Sequence, residues 1–245
     1  MATISIQTKE EKSIVHTIYG VALGPGDPEL LTLKALRVLK DADVIFYPGS
    51  IFKGEEKSYV FPLLKYHGLD KKEHRGFYLE MSDNRNQVNK VYTETAESIK
   101  KLFESGKKIC IVSEGDISLY ASFSYILTRL QELQLPIELI PGITALSLGA
   151  AQHKIPLSLL NEKIAVVPRV QTFEEIENCL RTFDTLILMK VKTNWKEVYP
   201  GLKEQSWSFY YCERLGTAQE FITTNLDELS ERVIPYFSLL IIKKG

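Results

Sequence analysis

Four short turns hold the residues whose types and spacing could do chemistry. Gly24-Pro25-Gly26-Asp27 follows an apolar run from Ile18 to Leu23. Glu114-Gly115-Asp116 comes just after Ile109-Cys-Ile-Val112, and Pro141-Gly142, with Thr144 two residues on, follows Ile137 to Ile140. Gly216-Thr217 comes shortly after Ser208 to Cys212. Each turn puts glycine backbone beyond an apolar run, where bare N–H groups or a helix N-terminus can approach a polar ligand. Asp116 adds a carboxylate able to hydrogen-bond a ribose or an amine. The first turn is neither common nucleotide fingerprint: Pro25 and Pro28 interrupt GxGxxG, and no Gly-Lys-Ser or Gly-Lys-Thr follows. Plain readings stand beside these. A strand-to-helix turn needs no ligand, Thr144 could simply cap a helix, Met189 is core on base rates, and Gly216-Thr217 could be just a loop. No Ser/His/Asp or Cys/His arrangement offers a nucleophile. The four histidines form no HxxH pair and the three cysteines no ligand spacing, so no protein-held metal is expected.

Strands and helices must position these turns. Ile18 to Leu23 reads as a buried strand. Asp27 suits a helix cap and Pro28 a first helical position, with Leu30, Leu33 and Leu36 at helical spacing beyond them. Asp43 to Tyr47 predicts a second strand ended by Pro48-Gly49, and two strands joined through a helix imply a parallel sheet. Residues 49–83 read as polar loop with one or two short elements. Ser82-Asp83 predicts the cap of a long helix with Val88, Tyr92, Ala96, Ile99 and Phe103 on one face, ended by Gly106. A strand over 109–112, a helix over 118–133, a strand over 137–140 and a small-residue helix over 144–151 follow. After a reset near 153–163, strands over 164–167, 185–189, 208–212 and 236–242 accompany helices over 172–181 and 194–202. Thr172 and Glu175 have capping-box spacing. Residues 1 to about 14 read as weakly ordered. Every major glycine turn in the first half follows a strand, and in open α/β folds ligands sit at the carboxyl ends of strands.

The chain of 245 residues has 30 Lys plus Arg against 31 Asp plus Glu, a net charge of -1. That balance, without a basic stripe, argues against a nucleic-acid partner. No apolar run approaches membrane-spanning length, and the segment around Lys9, Glu10, Glu11 and Lys12 lacks a signal peptide's apolar core. Cys110, Cys179 and Cys212 lie far apart and read as reduced thiols of a cytoplasmic protein.

Taken in order, residues 24–35 (GPGDPELLTLKA), Ala42-Asp-Val-Ile-Phe-Tyr47, Gly115-Asp116, Ile140-Pro-Gly-Ile-Thr-Ala145, Leu188-Met189 and Gly216-Thr217 resemble the tetrapyrrole methylase family. The resemblance runs from about Tyr19 to Ile242. Glu114-Gly-Asp116, Phe123-Ser-Tyr125, Asn161 to Pro168, Leu188-Met-Lys-Val191 and Pro235-Tyr-Phe-Ser-Leu-Leu240 resemble its C(20)-methyltransferases of cobalamin biosynthesis. Those enzymes act on precorrin-2 or its cobalt form, cobalt-factor II.

The resemblance implies an α/β protein of two αβα domains, 15–142 and 143–245 with a linker near 153–163. The N-terminal sheet would be mainly parallel and the C-terminal sheet mixed, with S-adenosyl-L-methionine in the inter-domain cleft. Carried over residue by residue, the cofactor contacts fall on Pro25, Glu114, Gly115, Asp116, Leu119, Thr144, Ala145, Met189 and Gly216. The implied reaction moves a methyl group to a ring carbon of a tetrapyrrole and leaves S-adenosyl-L-homocysteine. The donor is already activated, so positioning, worth about 7–11 kcal/mol in favourable cases, can replace a protein nucleophile. The implied protein is a cytoplasmic homodimer with a small-molecule substrate and no nucleic-acid or membrane partner. Lys53, Lys57, Arg75, Arg85, Lys190 and Arg214 are candidates to meet the substrate's carboxylates. Two positions depart from the family pattern. Ile117 replaces the usual Pro, which predicts a looser turn. Pro48 replaces a carboxylate proposed as proton acceptor in some uroporphyrinogen methylases, which argues against that activity. The competing readings are a methylase of the same fold acting on another tetrapyrrole or a macromolecule, and a non-catalytic nucleotide-binding module.

Overall fold

The computed structural model describes residues 16–52, 54–80 and 85–244. Two short strands rich in β-branched residues form the centre of its first sheet. β1 (Ile18–Ala22) and β5 (Ile109–Ser113) are almost wholly buried and pair in parallel. β6 (Ile137–Ile140) covers the other edge of β1, and β2 (Val44–Phe52) pairs with β5. β4 (Glu73–Glu80) runs parallel to β2 along eight residue pairs, from Val44↔Glu73 to Ile51↔Glu80. Only β3 (Glu55–Lys57) is antiparallel, folded back on the end of β2. The two-residue period of β5 sends side chains to both faces. Ile109 and Ile111 meet α3 (Arg85–Glu104) and α4 (Phe123–Glu132). Cys110 and Val112 meet α1 (Leu33–Asp41) and α2 (Phe61–Tyr66).

The second sheet is mixed. Its order is β10 (Phe221–Thr223), β9 (Ser208–Glu213), β11 (Ser238–Lys243), β8 (Thr185–Met189), β7 (Ile164–Pro168), and only β7 and β8 are parallel. α6 (Phe173–Thr182) and α7 (Trp195–Lys203) cover one face, with Ile176, Leu180, Val198 and Leu202 on Leu186, Leu188, Leu240 and Ile242. α5 (Ala145–His153) covers the other, with Leu146, Leu148 and Ala150 on Ile187, Leu239 and Ile241. The chain therefore leaves the first sheet after Ile140 and is already packed on the second by Leu146. Residues 154–163 form the loop from α5 to β7.

Several elements differ from the sequence reading. Asp27 does not open the first helix. Its carboxylate accepts from Glu29 N at 2.9 Å and closes a single 3-10 turn, Pro28–Leu30. The chain then extends, and Thr32 caps α1 by accepting from Ala35 N at 3.2 Å. β2 continues through Pro48-Gly49 instead of ending there. Pro48 falls where β5 pairing has stopped at Phe46 and β3 pairing has not begun at Ser50, so one edge asks no N–H of it. The stretch read as irregular holds β3, α2 and β4. β4 is an edge strand in which only Phe77 is fully buried, so its sequence carries little apolar signal. α4 starts at Phe123, because residues 117–121 form a loop. β10 had no apolar run to announce it. Residues 1–14 and the Ser82-Asp83 cap lie outside the described residues.

Candidate active site

The carboxyl ends of β1, β5 and β6 and those of β7, β8 and β9 meet at one cleft of about 700 Å³. The first sheet contributes Pro25 after β1, Glu114, Gly115, Asp116 and Leu119 after β5, and Thr144 and Ala145 after β6. The second contributes Met189 at the end of β8. Those are eight of the nine residues the sequence singled out. The ninth, Gly216, is not in the lining. It stands behind it at φ +74, where a Cβ would come within 2.2 Å of Asp27 N. Gly26 reciprocates at φ +143, with a Cβ position 2.2 Å from Leu215 O. These two glycines let the opening turn and the loop after β9 touch backbone to backbone, which any side chain would block.

Backbone hydrogen bonds seat the β5 turn. Gly24 and Gly115 bond reciprocally, at 3.1 and 2.8 Å. Gly115 has φ +66, and nothing lies within 4 Å of where its Cβ would be. Asp116 closes the turn: its Oδ1 accepts from Ser118 N at 2.9 Å and from Ser118 Oγ, and its Oδ2 accepts from Gly142 N at 2.9 Å. Burial pushes its carboxyl up, but these donors outweigh it and hold the acid below the usual range. The turn is thus tied, not loose as Ile117 suggested, and Ile117 itself is buried in the core beneath. Thr144 caps α5, its Oγ1 accepting from Ser147 N at 3.1 Å.

Glu213 is also committed. Its carboxylate accepts from Tyr211 Oη at 2.7 Å and from Arg232 at 2.6 and 3.0 Å. Burial opposes its ionisation, yet these partners hold its carboxyl low. Glu114 contrasts with both: burial raises its carboxyl, opposed only by its own backbone N–H and by Lys190.

Of the six candidate cations, Lys190 and Arg214 line the cleft. Lys57 pairs with Glu55 and Arg75 with Glu73, both outside the lining. Lys53 and the Arg85 side chain lie outside the described residues. Arg169, which the sequence reading missed, lines the cleft at the end of β7. Its one signal was its place directly after a strand. Tyr59 was missed too. It packs against Phe237 with ring centroids 4.1 Å apart and planes tilted by 30°, joining the two halves. Its hydroxyl is buried beside that of Thr217, which itself donates to Arg214 O at 2.8 Å.

Two helix-covered sheets whose strand ends converge on a shared cleft define an α/β protein, and small-molecule sites occur preferentially in clefts of this kind. Residues 17–230 match the tetrapyrrole (corrin/porphyrin) methylases, and the chain belongs to that family. It is 32% identical over 234 residues to the "Probable cobalt-precorrin-2 C(20)-methyltransferase" of Methanocaldococcus jannaschii, covering 94% of this chain and 97% of that one. It is 30% identical over 235 residues to the precorrin-2 C(20)-methyltransferase of Sinorhizobium, covering 93% and 95%. Among solved structures, the uroporphyrin-III C-methyltransferase of Thermus thermophilus complexed with S-adenosylhomocysteine superposes with a TM-score of 0.62 at 23% identity. That match covers 93% of this chain and 92% of the other.

Proposed function

We propose that this protein is an S-adenosylmethionine-dependent methyltransferase that methylates carbon 20 of precorrin-2 or its cobalt form in cobalamin biosynthesis. The observation that carries the reading is near full-length similarity, at 30% and 32% identity, to two proteins bearing that activity in their names. The cleft suits the cofactor. Its volume falls within the roughly 300–1,000 Å³ of small-molecule sites. Gly115 leaves bare backbone facing open space.

In this reading Pro25, Gly115, Leu119, Thr144, Ala145 and Met189 hold the cofactor, together with the main chain of Glu114. Asp116 acts by tying the β5 turn to the β6 turn, and Gly216 by seating Pro25 from behind. Bound S-adenosylmethionine supplies a methyl group already activated on a sulfonium. The protein's part is to orient the two reactants and exclude water, which is where its barrier lowering arises. Arg169, Lys190 and Arg214 hold the substrate's carboxylates. The same reading makes the protein a cytoplasmic homodimer with domains 15–142 and 143–245.

The test is incubation with labelled S-adenosylmethionine and either precorrin-2 or cobalt-factor II. One labelled methyl group on the macrocycle is expected. No transfer to either substrate would refute the reading.

A further inference from the structure

A meso ring carbon that accepts a methyl group still carries its hydrogen, and the ring regains conjugation only when that hydrogen leaves as a proton. A carboxylate placed at that carbon would speed this loss. Among the described residues lining the cleft there is no histidine. Burial pushes the Cys212 thiol up to about 12 and raises the Tyr59 phenol. Tyr120, Tyr125, Tyr236 and Lys190 also line the cleft, beside three carboxylates. Two of those carboxylates are spent: Asp116 on Ser118 and Gly142, Glu213 on Tyr211 and Arg232. Glu114 stands at the carboxyl end of β5, half-buried in the cleft wall, and among the described residues no other group donates a hydrogen bond to its carboxylate.

Resting on the function proposed above, we propose that the Glu114 carboxylate takes the proton from the methylated ring carbon. In the balanced step the carbon–methyl bond forms and the sulfur–methyl bond breaks, its electron pair remaining on sulfur. The ring C–H bond then breaks, its proton passes to Glu114 Oε and its electron pair returns to the ring. No oxidant or further reactant is needed. The charged and titratable groups around Glu114 act on it in both directions. Lys190 favours its ionised form, burial opposes it, and Tyr59 and Tyr92 lie within reach of its charge.

The test compares the wild type with Glu114→Gln and Glu114→Asp. Positioned bases are worth about 10²–10⁴-fold, so E114Q is expected to lose that much kcat, with E114D between the two. Calorimetry should give both variants an S-adenosylhomocysteine Kd within about threefold of wild type, because the main chain that meets the cofactor is unchanged. The ¹³Cδ resonance of Glu114, assigned by its loss in E114Q, should titrate above the ordinary glutamate value of 4.5. The acid limb of wild-type kcat should follow it and disappear in E114Q. The inference is overturned if E114Q keeps kcat within about tenfold of wild type with the limb in place. It is equally overturned if the carboxyl titrates at or below 4.5, or if E114Q loses cofactor affinity and thermal stability together. A wild type that methylates neither macrocycle refutes the proposed function instead, and so the two failures are distinct.

Discussion

Replacing Asp116 by asparagine tests whether the β5 and β6 turns act as one rigid floor. Asp116 is 8% exposed, and its two oxygens accept from Ser118 N, Ser118 Oγ and Gly142 N. Asparagine keeps the shape but turns Oδ2 into a donor that faces the Gly142 N–H. That bond is lost and a buried donor is left unpaired, at a cost of about 1–3 kcal/mol. The bonds to Ser118 survive on the remaining oxygen without the charge that strengthens them, losing together about 1–2 kcal/mol. The expected destabilisation is about 3 kcal/mol at pH 7, and at roughly 2–4 °C per kcal/mol it lowers Tm by about 6–12 °C. The sign with pH follows from the lowered acid. A depressed carboxyl contributes stability that is complete above its unfolded value of 3.8 and vanishes as pH falls through the folded value. The gap between wild type and variant should therefore close in acid. Urea unfolding at pH 7 and pH 3 measures it, and calorimetry with S-adenosylhomocysteine should show about tenfold weaker binding from lost preorganisation. A loss below about 0.5 kcal/mol at pH 7, or one equally large at pH 3, would refute the reasoning.

Gly216→Ala forces a side chain into left-handed backbone 2.2 Å from Asp27 N, so about 2–4 kcal/mol of stability should go, read by urea unfolding. Cofactor affinity should fall with it, because the displaced turn carries Pro25. Arg232→Ala strands Glu213, 2% exposed, as an unpaired buried carboxylate. It should cost about 3–5 kcal/mol in the same assay, most above the acid range where Glu213 is ionised. Arg169→Ala, Lys190→Ala and Arg214→Ala should each raise KM for the macrocycle about tenfold in steady-state assays, the worth of one charged hydrogen bond. The S-adenosylhomocysteine Kd should stay unchanged.

The fold was legible wherever burial was complete. β1, β5 and β8 announce themselves because they are covered on both faces and so read as apolar runs. β4 is hidden by its edge position: seven of its eight residues need not be fully buried, and Glu73-His74-Arg75 looks like loop. The start of α1 was misplaced because Asp27-Pro28 fits a helix cap locally, and only the extended Leu31 and Thr32 show that a separate turn intervenes. The candidate site was legible where it rests on glycine turns after strands. Gly216, named as a cofactor contact, stands outside the cleft lining and touches the backbone of Asp27. Tyr59 could not be read. It precedes α2 in a polar stretch, and only the fold brings its ring onto Phe237, far along the chain.

Backbone strain gathers at the cleft. Seven described non-glycine residues have positive φ, and four of them line it: Tyr120, Arg169, Lys190 and Arg214. Left-handed backbone costs an L-residue about 1–2 kcal/mol, so it persists only where neighbours enforce it. Here the enforcement is visible at three strand ends. Arg169 N donates to Met189 O at 3.0 Å, Lys190 N to Ser238 O at 3.1 Å and Arg214 N to Phe237 O at 2.9 Å. The sheet order β9-β11-β8-β7 then spaces the three cations along one row. At about 4.8 Å per strand the row spans roughly 14 Å at the backbone. A small anion would meet one of them, whereas a flat molecule with several carboxylates can meet all three. Among the described residues none of the three is paired with a carboxylate of the protein. A near-neutral chain thus concentrates unpaired positive charge on the second-sheet wall, while the uncommitted carboxylate of Glu114 stands on the first. A polycarboxylate ring anchored on the former would turn its reacting edge toward the latter.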